Sequence, residues 1–267
     1  MGLSDSRVNW PLFFGCILTA FGPLAALFFV VVSKRAQLVI ISLSGAFVWL
    51  VSILLAATIW TIIPPLKDSV EATIPVSVIL QELFRGIFFH LYVRTERAVQ
   101  KVTTSSHQLP LNDITSSLGT SLNPCHGLAH SLMLAMFSCL AGGVGFALMH
   151  SLMMYGSVVG ASTGTRGAAF SSSCESVPLI FTGAITTLAL TVLDVALMII
   201  AFHGYRTRSF VLVGLVGALH LGVALSALAN KSTNGCYVSI PIHYGGALVA
   251  FGVAVTLINR TKAVHTN

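Results

Sequence analysis

Charge is what this chain has least of. Only 8% of its 267 residues are Asp, Glu, Lys or Arg, against about a quarter in an ordinary soluble domain. With 55% hydrophobic residues and a mean hydropathy of +0.89, the chain carries more apolar surface than a water-soluble fold can bury. It belongs in a bilayer. Apolar–polar alternation is also missing, which excludes a membrane β-barrel. Cysteine is scarce, with five residues and no CxxC pair, so thiolate zinc or redox chemistry has no support. No basic patch carries interleaved aromatics. The formal charge of +6 therefore reads as a topology signal rather than as nucleic-acid binding.

What is present is a series of long apolar runs, each sufficient for a helix of ~20 residues across the hydrocarbon core. They cover about 12–32, 38–63, 70–92, 125–155, 177–202, 210–228 and 240–258. The fold expected is all-α: a polytopic membrane protein with seven transmembrane helices in a single domain, residues 1–267. Loops are expected at about 94–124 and 156–176. The first run is followed, not preceded, by Lys34-Arg35 and is long enough to span, so it reads as a retained helix rather than a signal peptide. Pro23 within it predicts a kink, and Gly142-Gly143-Val144-Gly145 predicts a tilt or break in the fourth helix. No internal repeat of the inverted-transporter type is evident.

Of the 14 Lys and Arg residues, nine collect on one side: Lys34, Arg35, Arg94, Arg97, Lys101, Arg206, Arg208, Arg260 and Lys262. Four, namely Arg7, Lys67, Arg166 and Lys231, fall on the other, and Arg85 lies within a span. The positive-inside bias then makes the N-terminus lumenal or extracellular and the C-terminus cytosolic. The 94–124 loop becomes cytosolic and the 156–176 loop lumenal. Cys174 and Cys236 share the lumenal side, where they are either free thiols or a disulfide. Asn230-Lys231-Ser232 on the same side is a glycosylation sequon close to the membrane.

Several polar and small residues stand out inside the apolar runs. Gly127, Ser131 and Ala135 follow one another at i+4 steps, as do Gly214, Ala218, Gly222 and Ser226. Such strips let backbones approach closely, either as ordinary bundle packing or as docking surfaces. The second strip predicts a tightly packed sixth helix. Asp194 and His220 lie well inside the fifth and sixth spans. A bare mid-bilayer carboxylate costs roughly 2.5–3.5 kcal/mol on insertion scales, so it requires a partner, a proton or water. A direct Asp194–His220 pair is the preferred expectation, with separate satisfaction of each as the alternative. Glu82 and Arg85, three residues apart, can neutralise each other on one helix face or engage a partner helix or terminal carboxylate.

Two other classes fit a seven-span chain. His126, His130, Asp194 and His220 are residue types that could hold a catalytic zinc. Against a metal-dependent hydrolase, the first two histidines start the fourth span and lie far from the depth of Asp194, and no HExxH motif occurs. A heptahelical receptor or channel shares the N-out topology, but no acidic-Arg-aromatic triplet ends the third span and polar residues are too sparse for an ion path.

Phe13-Phe14-Gly15-Cys16 with Phe21-Gly22-Pro23, Ser44-Gly45-Ala46-Phe47 with Trp49-Leu50-Val51-Ser52, and Leu80-Gln81-Glu82-Leu83-Phe84-Arg85 occur in this order. Together they resemble the anterior-pharynx-defective (Aph) family, the seven-span scaffold subunit of γ-secretase. The likeness covers nearly the whole chain and is closest through the first three spans. It implies a non-catalytic protein without cofactor or metal, assembled with presenilin, nicastrin and the presenilin enhancer subunit. The catalytic aspartates would be presenilin's, and the setting would be endoplasmic reticulum, Golgi, endosomal and plasma membranes. The resemblance further implies that Gly127, Ser131 and Ala135 occupy the family's glycine strip, with only the first glycine kept. It places Asp194 where the family has a fifth-span histidine and His220 at the sixth-span counterpart.

Overall fold

The computed structural model of the chain describes residues 10–63, 69–106, 124–164 and 170–266, with side chains over 10–63, 69–98, 136–160 and 172–260. Among them are seven helices long and apolar enough to cross a membrane. Helix α1 (Trp10–Leu27) passes through Pro23 and widens into a π turn at Phe28–Val32. It is followed by α2 (Ala36–Ile62), α3 (Val70–Ser106) and α4 (Pro124–Gly164). A short antiparallel ribbon of β1 (Phe170–Ser171) and β2 (Cys174–Pro178) leads into α5 (Leu179–Thr207). Then come α6 (Phe210–Ser226), extended by a 3-10 turn at Ala227–Lys231, and α7 (Cys236–Thr266). The third, fourth and seventh helices run beyond their apolar cores, so helical backbone occupies part of both expected loops.

Two helices form the centre. In α5 and α4, 61% and 56% of the most apolar stretch is buried, against 17–28% in the other five. Helix α5 packs on α1, α3, α4, α6 and α7, and α4 also packs on α1 and α2. This matches composition: α5 carries Ala184, Ala189, Ala196 and Ala201 among its buried residues, small side chains that admit neighbours on several sides. At one end of the bundle Phe88, Phe89 and Tyr92 of α3 meet Phe202 and Tyr205 of α5. Ion pairs join helix ends at both limits of the bundle, Arg206–Glu96 at 2.8 Å and Lys231–Glu71 at 2.9 Å.

The glycine run of α4 does not break the helix. It is where other backbones come close. A Cβ on Gly145 would lie 1.8 Å from the Ser42 carbonyl oxygen of α2, and one on Gly45 would lie 2.6 Å from the Gly142 carbonyl oxygen. Gly143 faces the Val195 backbone of α5 at 3.1 Å. The residues read as a helix breaker thus serve as a three-helix contact, because packing supplies what these glycines lack in intrinsic helix propensity.

The sixth helix also departs from expectation. Gly214, Ala218 and Gly222 lie on its exposed face, and a Cβ on either glycine would meet nothing within 4 Å. The strip is not packed within this chain, and α6 is the least buried of the spans. Gly127, Ser131 and Ala135 lie in α4 but outside the residues whose side chains are described, as do His126 and His130.

Cys174 of β2 and Cys236 at the start of α7 form a disulfide with a Cα–Cα distance of 5.7 Å. The Cys236 N–H donates to the Ser173 carbonyl, and Ser176 and Tyr237 share a hydroxyl contact of 3.0 Å. The ribbon before α5 is thereby stapled to the helix that packs on α5. Asn230 sits in the 3-10 turn, exposed, with its Oδ1 accepting a hydrogen bond from Ser239 Oγ at 2.8 Å.

Two outcomes follow for the purified full chain. Gly145→Ala should lower thermal stability by about 1–3 kcal/mol, the usual cost of overpacking, whereas Gly214→Ala, with open space at its Cβ, should leave the melting temperature unchanged or raise it. Equal effects would contradict the packing described for α4. Non-reducing peptide mapping should recover Cys174 and Cys236 in one linked species, and reduction should destabilise the chain by about 2–4 kcal/mol.

Candidate functional site

The middle of the bundle contains a chain of ionisable side chains running across four helices. At one end, His150 Nδ1 of α4 donates to Asp194 Oδ2 of α5 at 2.6 Å. Asp194 Oδ1 faces Arg85 Nη2 of α3 at 3.7 Å, an ion pair beyond hydrogen-bond range. Arg85 Nη1 donates to Glu82 Oε1 on the preceding turn of α3. The same Glu82 oxygen accepts from His220 Nδ1 of α6 at 2.6 Å. Arg85 and Asp194 are almost fully enclosed, while Glu82 and His150 retain 19% and 14% side-chain exposure.

Local sequence explains the arrangement. The i, i+3 spacing of Glu82 and Arg85 puts both on one face of α3. Gln81 and Arg85 are one turn apart, and both are buried. Phe146 and His150 are likewise one turn apart on α4. The Arg85 guanidinium lies 5.2 Å from the Phe146 ring centroid, a cation–π contact that covers its planar face. Trp49 of α2 stacks on the His150 imidazole at 5.2 Å between centroids. One turn before Asp194, Thr191 donates to the Thr187 carbonyl and accepts from Ser151 of α4 at 2.9 Å. This extends the polar seam between the two central helices.

Of the residues singled out from sequence, the structure brings Glu82, Arg85, Asp194 and His220 together. Asp194 and His220 do not form the direct pair expected of them. Each has a histidine–carboxylate contact with someone else, and Arg85 stands between the two pairs. The physical reason is placement: His150 of α4 reaches Asp194, and His220 of α6 reaches Glu82 of α3, so each acid takes its own histidine. His150, Trp49 and Phe146 were missed. A histidine within an apolar span is itself a signal, since it is expensive in lipid, and His150 carried that signal. Trp49 and Phe146 carried none, because aromatics are ordinary in such spans.

The cluster joins four helices through ion pairs and hydrogen bonds. Both carboxylates are held in ion pairs and hydrogen bonds rather than facing each other across a reacting group. Among the described residues, no three His, Cys, Asp or Glu side chains converge as a metal-binding group. Truncating one member of a buried ion pair leaves the remaining charge uncompensated, at about 3–5 kcal/mol. Arg85→Leu should therefore abolish or sharply reduce folded yield, because it strands two carboxylates at once. Double-mutant cycles on thermal stability should show larger coupling for His150–Asp194 and for His220–Glu82 than for Asp194–His220. The reverse order would contradict the connectivity.

Comparison with known proteins places this chain in a family. The family model described as Aph-1 protein matches residues 11–261, all seven helices. A gamma-secretase subunit APH1-like protein of Arabidopsis thaliana is 29% identical over 255 residues, covering 94% of this chain and 91% of that protein. Gamma-secretase subunit Aph-1 of Drosophila melanogaster is 28% identical, over 83% of this chain and 82% of its own. Gamma-secretase subunit Aph-1b of Danio rerio is 26% identical, over 89% and 81%. A match that runs from the first span into the last, carried by relatives that align over most of their own length, establishes that this multi-pass membrane chain belongs to the Aph-1 family of γ-secretase components.

Proposed function

We propose that the chain is the non-catalytic scaffold subunit of a γ-secretase complex, holding presenilin in the bilayer together with nicastrin and the presenilin enhancer subunit. The observation that carries the proposal is the family match over residues 11–261, with relatives named as subunits of γ-secretase. The geometry supports a structural role. An intramembrane aspartyl protease needs two carboxyl groups that share a proton and a water across the scissile bond. Here Glu82 and Asp194 are separated by Arg85, and each is engaged by a histidine. Cleavage of single-span membrane proteins therefore falls to the presenilin partner.

In this reading the chain is one seven-helix domain with its N-terminus lumenal and its C-terminus cytosolic, working in the endoplasmic reticulum, Golgi, endosomal and plasma membranes. The disulfide-stapled ribbon faces the oxidising lumen. The ionic core makes the bundle rigid, and the outer faces of the peripheral helices are left to lipids and partner subunits. The glycine strips Gly127–Ser131–Ala135 and Gly214–Ala218–Gly222 are the surfaces assigned to close helix contacts. Asn230 remains a lumenal candidate for glycosylation.

Mild-detergent purification of the tagged full-length chain, with identification of partners by mass spectrometry, tests the proposal. The expected outcome is co-purification of a presenilin and a large glycoprotein. Loss of the chain should then reduce presenilin-dependent cleavage by at least about tenfold, the scale of an assembly-level defect of roughly 1.4 kcal/mol or more. A chain that purifies alone, with proteolysis unaffected by its removal, would contradict the scaffold role.

A further inference from the structure

The two ends of the bundle differ in how their charges are met. At one end, Lys34, Arg35, Arg94, Arg97, Arg208 and Arg260 are all exposed and have no acidic partner among the described residues. Glu96 is the acid described there, and Arg206 already takes it at 2.8 Å. At the opposite end the described base, Lys231, is paired with Glu71. A basic bias sets orientation during insertion, but it leaves the surplus charge of the folded chain to be neutralised by something else. The surplus has a local focus. The Glu96–Arg206 bridge ties the end of α3 to the end of α5, and the start of α6 packs against both helices. Arg208 closes α5 with a positive φ of 54°, and Ser209 caps α6 by accepting from the Leu212 N–H at 3.5 Å. Directly after this turn come Phe210 and Val211, 89% and 81% exposed, the two most exposed large apolar side chains described.

We propose that the corner where α3, α5 and α6 meet binds an anionic phospholipid of the adjoining leaflet, with Arg97 and Arg208 on its phosphate and Phe210 and Val211 against its acyl chains. Charge complementarity selects the headgroup. A guanidinium offers a planar fork that matches phosphate oxygens, and these two have no competing carboxylate among the described residues. A phosphatidylcholine headgroup brings its own cation and leaves the surplus in place. The exposed aromatic and valine select a lipid over a soluble phosphate compound, which would match the arginines and leave the apolar pair uncovered. An anionic lipid supplies both contacts in one molecule. The order along the chain fits that depth, since the arginine at the helix turn reaches the headgroups while the first residues of the span enter the hydrocarbon.

Native mass spectrometry tests this on the full chain in mild detergent, with any partners that co-purify, titrated with phosphatidylserine and phosphatidylcholine of identical acyl chains. Phosphatidylserine should bind at least about fivefold more tightly, the worth of a single basic residue at an anionic surface. Arg97→Gln combined with Arg208→Asn, a residue that tolerates positive φ, should weaken phosphatidylserine binding about tenfold or more and leave phosphatidylcholine unchanged. Lys231→Gln, at the opposite end, should change neither. Equal binding of the two lipids, or an equal loss in Lys231→Gln, would overturn the proposal. Phe210→Ser gives an independent reading, because its side chain is exposed and it should weaken both lipids; unchanged affinity would overturn the acyl-chain contact. Soluble glycerophosphoserine should not displace the lipid at matched concentration. If it does, the surface takes free phosphate compounds and the lipid assignment is wrong. If the double variant keeps its lipid but loses a co-purifying subunit, an acidic segment of that partner occupies the corner, which also overturns the proposal.

Discussion

A guanidinium buried inside a membrane-spanning bundle cannot shed its charge, so the surrounding protein has to answer it. Arg85 is that constraint here. Its charge sits between Glu82 on its own helix and Asp194 on the central helix, and its face lies over Phe146. Each carboxylate in turn takes a histidine, from α4 and from α6. Four helices are thereby required to meet at one depth and in one register. Replacing the cluster with apolar residues of similar volume need not cost stability, since desolvation of buried charges offsets much of their attraction. What the cluster supplies is a set of contacts that draws residues of four helices together.

Packing around that core divides the chain into an inner and an outer part. Alanines of α5 and glycines of α4 allow the backbones of α2, α4 and α5 to approach closely. Without a hydrophobic drive to separate protein from lipid, such contacts and short hydrogen bonds hold a membrane bundle together. The peripheral helices keep large apolar side chains outside, among them Phe29, Phe47, Leu83, Phe210 and Phe251. In a soluble protein this would be an aggregating surface. In a bilayer it is the surface that lipids or neighbouring subunits cover, which suits a component of a multisubunit complex.

Much of this was legible before any coordinates. The seven spans follow from hydropathy alone, since each run must satisfy its backbone internally in lipid. The order of motifs from Phe13 to Arg85 pointed to the family, and Glu82, Arg85, Asp194 and His220 stood out as polar residues in apolar runs. Their connectivity was not legible. Nothing in the linear order indicates that His150 takes Asp194, or that His220 takes Glu82 across a separation of 138 residues. Helix rotation decides such pairings, and a rotation of one residue would redirect each side chain by about 100°. For the same reason Gly142–Gly145 looked like a weakness in α4, while Gly214 and Gly222 looked like a packed seam. The first proved to be the close contact and the second the open face.

By itself, then, the sequence determined the solvent, the number of spans, the basic asymmetry of the loops and the identity of the residues too polar to face lipid. These are properties of composition and period, which each segment carries without reference to the others. Tertiary structure decided which helices lie at the centre, which glycines touch backbone and which acid takes which base. Those depend on relative rotation and depth, which are set only when the helices that carry Arg85 and its partners pack together.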